Sequence, residues 1–342
     1  MAISKKIKVL IVDDSLLFRE VLARGISTDS NIEVIAKAVD PFDARDKILK
    51  YEPNVMICDV EMPKMNGIEF LKKLLPQYPL PVIVVSAIND SVFKAMNAGA
   101  VDFVAKPDVQ NPKSVEAFIH DLISKIKIAS QSNITQPTST TSTTSSKADF
   151  SNGDVNRLIA IGASTGGTEA IYSVLKQLPP NVPGILVVQH IPPMFSRMFA
   201  ERLNNQIELT VMEAQSGDFV EPGKVLIAPG DQHMRVKKAG GKYRVEVYSG
   251  EKVNGHCPSV DILFDSVAKE VGSKAIGVIL TGMGYDGAKG LLAMRRKGAR
   301  TIGQDEKSSV VYGMPKVAYE IGAVEKQSDI QNIPILLSAL LR

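Results

Sequence analysis

The chain has 342 residues, 44% of them hydrophobic, and a formal net charge of only +3. It is long for one domain and apolar enough for two cores. Its near-balanced charge, without long basic or acidic blocks, gives no support to nucleic acid or a membrane surface as partner. Two distant cysteines, Cys58 and Cys257, exclude a disulfide framework or a cysteine-rich zinc site. A polar N-terminus and the lack of any run near the ~20 apolar residues of a membrane span predict a cytoplasmic protein with no membrane insertion.

From the N-terminus, short apolar runs at 8–14, 32–38, 55–59, 81–87 and 102–106 alternate with amphipathic stretches such as 15–28 and 67–77. A further helical stretch, 112–128, follows the last run. This alternation predicts a doubly wound parallel α/β sheet of five strands. Asp13 and Asp14, Asp59, Ser86 and Lys106 fall at the C-terminal ends of its strands, the edge where open α/β sheets bind ligands. Three converging carboxylates repel one another unless a hard cation bridges them, and Mg²⁺ suits oxygen ligands. With such a cation and Lys106 in place, Asp59 could attack a phosphoryl donor and become an aspartyl phosphate. A single Asp at a strand end is more often a cap or a solvated loop residue. The ordered set carries the reading.

That set, with Val60-Glu61-Met62-Pro63-Lys64-Met65-Asn66-Gly67 after the acceptor, resembles the receiver domain of bacterial response regulators over residues 7–128. The resemblance implies a flavodoxin-like (βα)5 fold and phosphorylation of Asp59 by a partner histidine kinase. It also implies a Mg²⁺ site built from Asp13, Asp14, Asp59 and the backbone carbonyl of Glu61. Ser86 and Phe103, with Lys106, would be the residues that respond to the phosphate.

Composition then changes abruptly. Residues 129–155, rich in Ser and Thr, have no hydrophobic period and read as a flexible linker. About 27 such residues span ~30 Å on average, enough for two domains to dock or separate. The predicted domains are therefore 1–128 and 156–342.

The second domain repeats the α/β style, with strands at 158–163, 185–190, 225–228, 275–281 and 301–302. Helices fit at 168–178, 194–204, 261–271, 287–297 and 330–341, and a hairpin at 234–248 turns around Ala239-Gly240-Gly241. Its first strand runs into Gly162-Ala163-Ser164-Thr165-Gly166-Gly167, which places Ser164 in a sharp turn before a helix, as a nucleophile requires. A base must come from His120, His190, His233 or His256. His120 lies in the other domain on a surface helix. His190 ends the next strand, and right-handed crossover puts it on the same edge as Ser164. His233 and His256 fall in loops, either lining a groove or packing as ordinary loop histidines. Asp286, in Thr281-Gly282-Met283-Gly284-Tyr285-Asp286-Gly287, reaches the same edge and would orient the imidazole, while also able to cap the helix from 287. Backbone amides near Thr165 and Met283 are the candidate oxyanion donors. Asp261 and Asp265 read as solvated or capping acids.

Gly162-Ala163-Ser164-Thr165-Gly166 matches the nucleophile-elbow pattern, but α/β-hydrolases place the acid before the histidine, and the order here is Ser164, His190, Asp286. A dinucleotide loop is disfavoured because the glycine spacing is wrong and no acid ends the second strand. The segments 162–167, 190–195, 228–234, 256–264, 280–290 and 304–315 together resemble the catalytic domain of bacterial chemotaxis protein-glutamate methylesterases (CheB). The resemblance implies a doubly wound α/β methylesterase domain with catalytic Ser164, His190 and Asp286 and no cofactor. Its implied substrates are glutamyl methyl esters on chemoreceptors, with receptor glutamines as further targets. The order of receiver, linker and esterase suggests that the unphosphorylated receiver covers the groove and that phosphorylation releases it.

Overall fold

A computed structural model describes residues 6–87, 91–133 and 157–341. The chain divides into two compact units between residues 140 and 141. Most of the predicted linker, residues 134–155, lies outside the described residues. Among the described residues no helix is long and apolar enough to cross a membrane.

The first unit runs β1 (Ile7–Val12), α1 (Leu16–Ile26), β2 (Ile32–Ala38), α2 (Pro41–Tyr51), β3 (Val55–Asp59), α3 (Gly67–Leu74), β4 (Val82–Ser86), α4 (Ser91–Asn97), β5 (Asp102–Ala105) and α5 (Pro112–Ala129). Its strands are all parallel, in the order β2-β1-β3-β4-β5. This is the flavodoxin-like order, and its switch point lies between β1 and β3. The central strands are buried throughout, and apolar up to the Asp59 and Ser86 that end them, because both faces are covered by helices. Helix starts follow local chemistry: Asn66 Oδ1 accepts from the Glu69 amide at the start of α3, and Asp40 accepts from Phe42 and Asp43 ahead of Pro41. The helix expected at 112–128 ends at Ala129, one residue inside the predicted linker.

The second unit runs β6 (Leu158–Ala163), α6 (Gly167–Leu175), β7 (Gly184–Gln189), α7 (Phe195–Gln206), β8 (Thr210–Glu213), β9 (Lys224–Ile227), β10 (His233–Ala239), β11 (Lys242–Tyr248), α8 (Val260–Glu270), β12 (Ala275–Ile279), α9 (Ala288–Arg296), β13 (Arg300–Gln304), α10 (Met314–Glu320), β14 (Lys326–Ser328) and α11 (Ile333–Leu341). Seven parallel strands are ordered β14-β13-β12-β6-β7-β9-β8, and β10 and β11 pair as the predicted hairpin. The expected pair 301–302 is the five-residue β13. The edge strands β8 and β14, and helix α10, were not anticipated.

Strand order reverses at β6, which pairs with β7 on one side and β12 on the other. The chain therefore leaves β6, β7 and β12 at one carboxyl edge, carrying Ser164, His190 and Asp286 respectively. In the core of this unit Phe195, Phe199 and Phe264 are fully buried, each worth roughly 1.5–3 kcal/mol of burial.

Candidate active site and acidic pocket

Ser164 is held by its backbone. Its N–H donates to Thr281 O at 3.0 Å, and its carbonyl accepts from Gly167 N at 2.7 Å and Gln189 Nε2 at 2.8 Å. The β12 turn comes so close that a Cβ on Gly282 would meet Ser164 Cβ at 2.7 Å, so only glycine fits there. Buried Thr281 ties the two turns together: its amide donates to Gln304 Oε1, and its hydroxyl lies 3.0 Å from Thr165 O. Thr165 and Met283, the candidate oxyanion residues, each follow one of these two turns.

His190 Nε2 lies 2.9 Å from Asp286 Oδ2, and its backbone N–H donates to Ala163 O. With Nε2–H given to the carboxylate, Nδ1 carries the free lone pair, and this buried atom has no hydrogen-bond partner. The structure thus joins His190 to Asp286 and leaves the Ser164 hydroxyl and Nδ1 without a mutual hydrogen bond. Catalytic bonds of this kind commonly tighten only around substrate.

Asp286 is 1% exposed and accepts hydrogen bonds from four more groups: Asn254 Nδ2, Ser259 Oγ, Val260 N and Asp261 N. Burial alone would raise its carboxyl. The hydrogen bonds from His190, Asn254 and Val260, with the His190 charge, instead hold it well below the usual carboxylate range. The expectation that Asp286 caps the helix from 287 is corrected. It caps the start of α8, and Asp261 caps α9 by accepting from Gly290 N at 2.7 Å. The two helices begin side by side, and each takes the other's acid. Asp261 is accordingly buried rather than solvated, while Asp265 is exposed.

The remaining histidines separate clearly. His120 is exposed on α5. His233 is buried and satisfied, with Nε2 on Glu251 O and Nδ1 accepting from Ser259 N. His256 stacks on His190, with ring centroids 3.7 Å apart and planes 10° apart. Burial, then the neighbouring His190, lowers His256 from 6.5 to about 4. Between those values the unfolded chain binds a proton at His256 that the folded chain does not, so stability falls as pH drops from 6.5 through 4. Thermal unfolding across that window should show a smaller loss in His256→Phe than in the parent chain. Equal losses in both would contradict the assignment.

Sequence reasoning did not single out Asn254, Ser259, Thr281 or Gln304. The Asn254-Gly255 dipeptide is a turn signal and could have drawn attention to its loop.

In the first unit, the pairing of Val12 with Cys58 places Asp13 beside Asp59 at the switch point. Carboxylate oxygens of Asp13, Asp14 and Asp59 lie within 4.8 Å of one another. Asp13 Oδ2 is buried without a hydrogen-bond partner, and burial followed by the Asp59 charge raises the Asp13 carboxyl to about 6. An orphaned, crowded carboxylate of this kind fits a hard cation. Lys106 Nζ donates to Asp59 Oδ2 at 2.7 Å and lies 3.8 Å from Asp13 Oδ2. Burial pulls the Lys106 ammonium down, but the Asp59 bond and the charges of Asp59 and Asp13 outweigh it and hold it above its usual value. Ser86 is buried with its hydroxyl 3.1 Å from Ser91 Oγ, and buried Phe103 packs edge-on against Phe93. Glu61 N donates to Asp59 Oδ1.

Known proteins match both units. The pattern of the family described as CheB methylesterase matches residues 159–337, and that of the response regulator receiver domain matches residues 9–116. A protein-glutamate methylesterase/protein-glutamine glutaminase 2 of Syntrophomonas wolfei subsp. wolfei is 58% identical over 98% of this chain and 98% of its own length. A protein-glutamate methylesterase/protein-glutamine glutaminase of Syntrophotalea carbinolica is 50% identical over 96% of each. The crystal structure of the Thermotoga maritima CheB methylesterase catalytic domain covers 54% of this chain and 98% of its own, with a TM-score of 0.53 and 41% identity.

Proposed function

Because the chain belongs to the CheB methylesterase family and carries a response regulator receiver domain, we propose that it is a serine-type hydrolase of glutamyl methyl esters on chemotaxis receptors. The products are glutamate and methanol, and phosphorylation of the receiver controls the rate. The names of its relatives add the deamidation of protein glutamines, an acyl transfer of the same form in which ammonia leaves instead of methanol.

The observation that supports this chemistry most is the Asp286–His190 pair, buried at the edge that Ser164 shares. His190 Nδ1 takes the Ser164 hydroxyl proton as Oγ bonds to the ester carbonyl carbon. Amides of Thr165 and Met283 receive the charge that develops on the carbonyl oxygen. His190 returns the proton to the departing methoxide, and methanol leaves an acyl-enzyme. Water then repeats the cycle with the same base, freeing the glutamate carboxylate and Ser164. Asp286 stays ionised throughout, holding the Nε2–H tautomer and stabilising the imidazolium.

In the receiver, Asp59 is the proposed phosphoryl acceptor, with a histidine kinase as the physiological donor. Asp13, Asp14, Asp59 and the Glu61 carbonyl would hold Mg²⁺, which when bound supplies positive charge against the crowded carboxylates and the incoming phosphoryl oxygens. Lys106 pairs with the remaining phosphoryl charge. Ser86 and Phe103 are the residues proposed to change position with it, relieving inhibition of the esterase by the unphosphorylated receiver.

Methanol release from methylated receptor membranes tests both halves together. Acetyl phosphate with Mg²⁺ should raise the rate several-fold, by at least the ~5-fold of a modest allosteric coupling. Asp59→Ala should keep the basal rate and lose the rise, and the fragment 156–342 should outpace the full unphosphorylated chain. A rise that survives Asp59→Ala would remove Asp59 from the control, and a fragment no faster than the full chain would remove inhibition by the receiver.

A further inference from the structure

Hydrolysis as derived above makes no use of His256, yet its ring covers one face of His190 at 3.7 Å. The segment that carries it is specifically built. Val253 and His256 exchange backbone hydrogen bonds, both 3.0 Å long, around Asn254 at φ 53° and Gly255 at φ 85°. Two consecutive left-handed residues inside such a pair make a type I′ turn, for which Asn-Gly is the preferred sequence. Within that turn the Asn254 amide donates to both Asp261 and Asp286. The turn therefore places the stacked ring and helps hold the carboxylate that His190 pairs with.

One hydrogen bond does not fix a ring. With Nε2 tied to Asp286, the imidazole can still tilt, and a tilt carries Nδ1 away from Ser164. A flat group packed face to face on the ring opposes that movement at every stage of the reaction.

We propose that His256 is a positioning residue, whose ring holds the plane of His190 so that Nδ1 stays in line with the Ser164 hydroxyl during both proton transfers. The inference rests on Ser164 and His190 being nucleophile and base. It requires an uncharged His256, because a second cation stacked on His190 would oppose formation of the imidazolium. The charged groups that face His256 are His190 from the β7 edge, Asp286 from the β12 turn and Lys252 on its own segment. Burial, with the charges of His190 and Lys252, outweighs the opposing pull of Asp286 and keeps it neutral down to about pH 4. What the site uses is then the flat face of His256 and neither of its nitrogens.

That separates two substitutions in the full-length protein. His256→Ala should lower kcat for ester hydrolysis by about 10–100-fold, the cost of a base slightly out of line, with KM changed less than about twofold. Labelling of Ser164 by a small fluorophosphonate, which needs the base but no docked receptor, should slow to the same extent. His256→Phe restores a flat face and should recover to within about threefold of the parent in both assays, as aromatic stacking does not require the nitrogens. Circular dichroism and thermal melting report folding, and if His256→Ala does not fold, His256→Gln takes its place as the ringless variant. A ringless variant that matches the parent in both assays overturns the proposal. So does a folded His256→Phe as slow as the ringless one. If the parent chain itself shows no Ser164-dependent labelling or methanol release, the nucleophile assignment falls and the inference with it. If the parent is active and the ringless variant equals it, the inference alone falls.

Discussion

Replacing Ser164 by alanine should lower methanol release from methylated receptors by ~10³-fold or more, because what remains is substrate binding and oxyanion stabilisation without a nucleophile. The fold should hardly register the change. The hydrogen bonds that Ser164 contributes to the turn come from its N–H and carbonyl, which alanine keeps. Its Cβ already sits against Gly282, so alanine brings no new atom into that contact. Activity and stability therefore part company at this position: kcat collapses while the melting temperature stays close to that of the parent chain. Mass spectrometry gives the complementary reading, since the parent should gain the fluorophosphonate adduct on the peptide containing Ser164 and the alanine variant should not. Methanol release near the parent rate from Ser164→Ala would remove the serine from the mechanism, whatever the labelling shows.

How much of this site was legible in the sequence depends on whether a feature is written into a strand or into a tertiary contact. β6, β7 and β12 are buried on both faces, so their apolar runs are continuous, and the glycine-rich turns that follow β6 and β12 are unmistakable. The crossover rule then brings Ser164 and His190 to one edge from sequence alone. At the sheet margins the signal fails. β14 reads Lys-Gln-Ser, three residues with no apolar member, and it exists as a strand because β13 offers it a partner. The exchange of acids between α8 and α9 was equally invisible. Asp286 precedes the helix it was expected to cap, and only the packing of two helix starts side by side lets it serve the other one. His256 illustrates the same limit. Its loop announces a turn through Asn254-Gly255, but a face-to-face contact with His190 is a property of the folded edge and leaves no local pattern.

Asp286→Asn should be the most damaging change that leaves the nucleophile in place, with kcat falling by ~10⁴-fold as when the acid of other triads is neutralised. The reason here is a count of donors. Asp286 presents two oxygens to five donors: His190 Nε2–H and Val260 N–H on Oδ2, and Asn254 Nδ2, Ser259 Oγ and Asp261 N–H on Oδ1. An asparagine must turn its NH2 group toward one set or the other. Facing His190, it forces the imidazole into the Nδ1–H tautomer, and the base that Ser164 needs is gone. Facing Asn254 and the start of α8, it sets donor against donor in a buried place, at roughly 1–3 kcal/mol for each group left unpaired. Either arrangement also removes the charge that stabilises the imidazolium. The carboxyl is held below its usual 3.8, so its stabilising ionised form is fully present above that value and lost only as pH falls through the lower folded one. Assays near neutral pH thus compare a fully charged Asp286 with a neutral amide. Asp261→Asn is the control that separates capping from catalysis. It disturbs the partner cap on Gly290 and the Asn254 bridge, but leaves the His190 tautomer alone. It should lower the melting temperature with a loss of kcat no greater than about tenfold, the scale expected from slight misplacement rather than a missing base. If the two variants lost activity in proportion to stability, Asp286 would be a helix cap that happens to touch His190, and the orienting role assigned to it would be wrong.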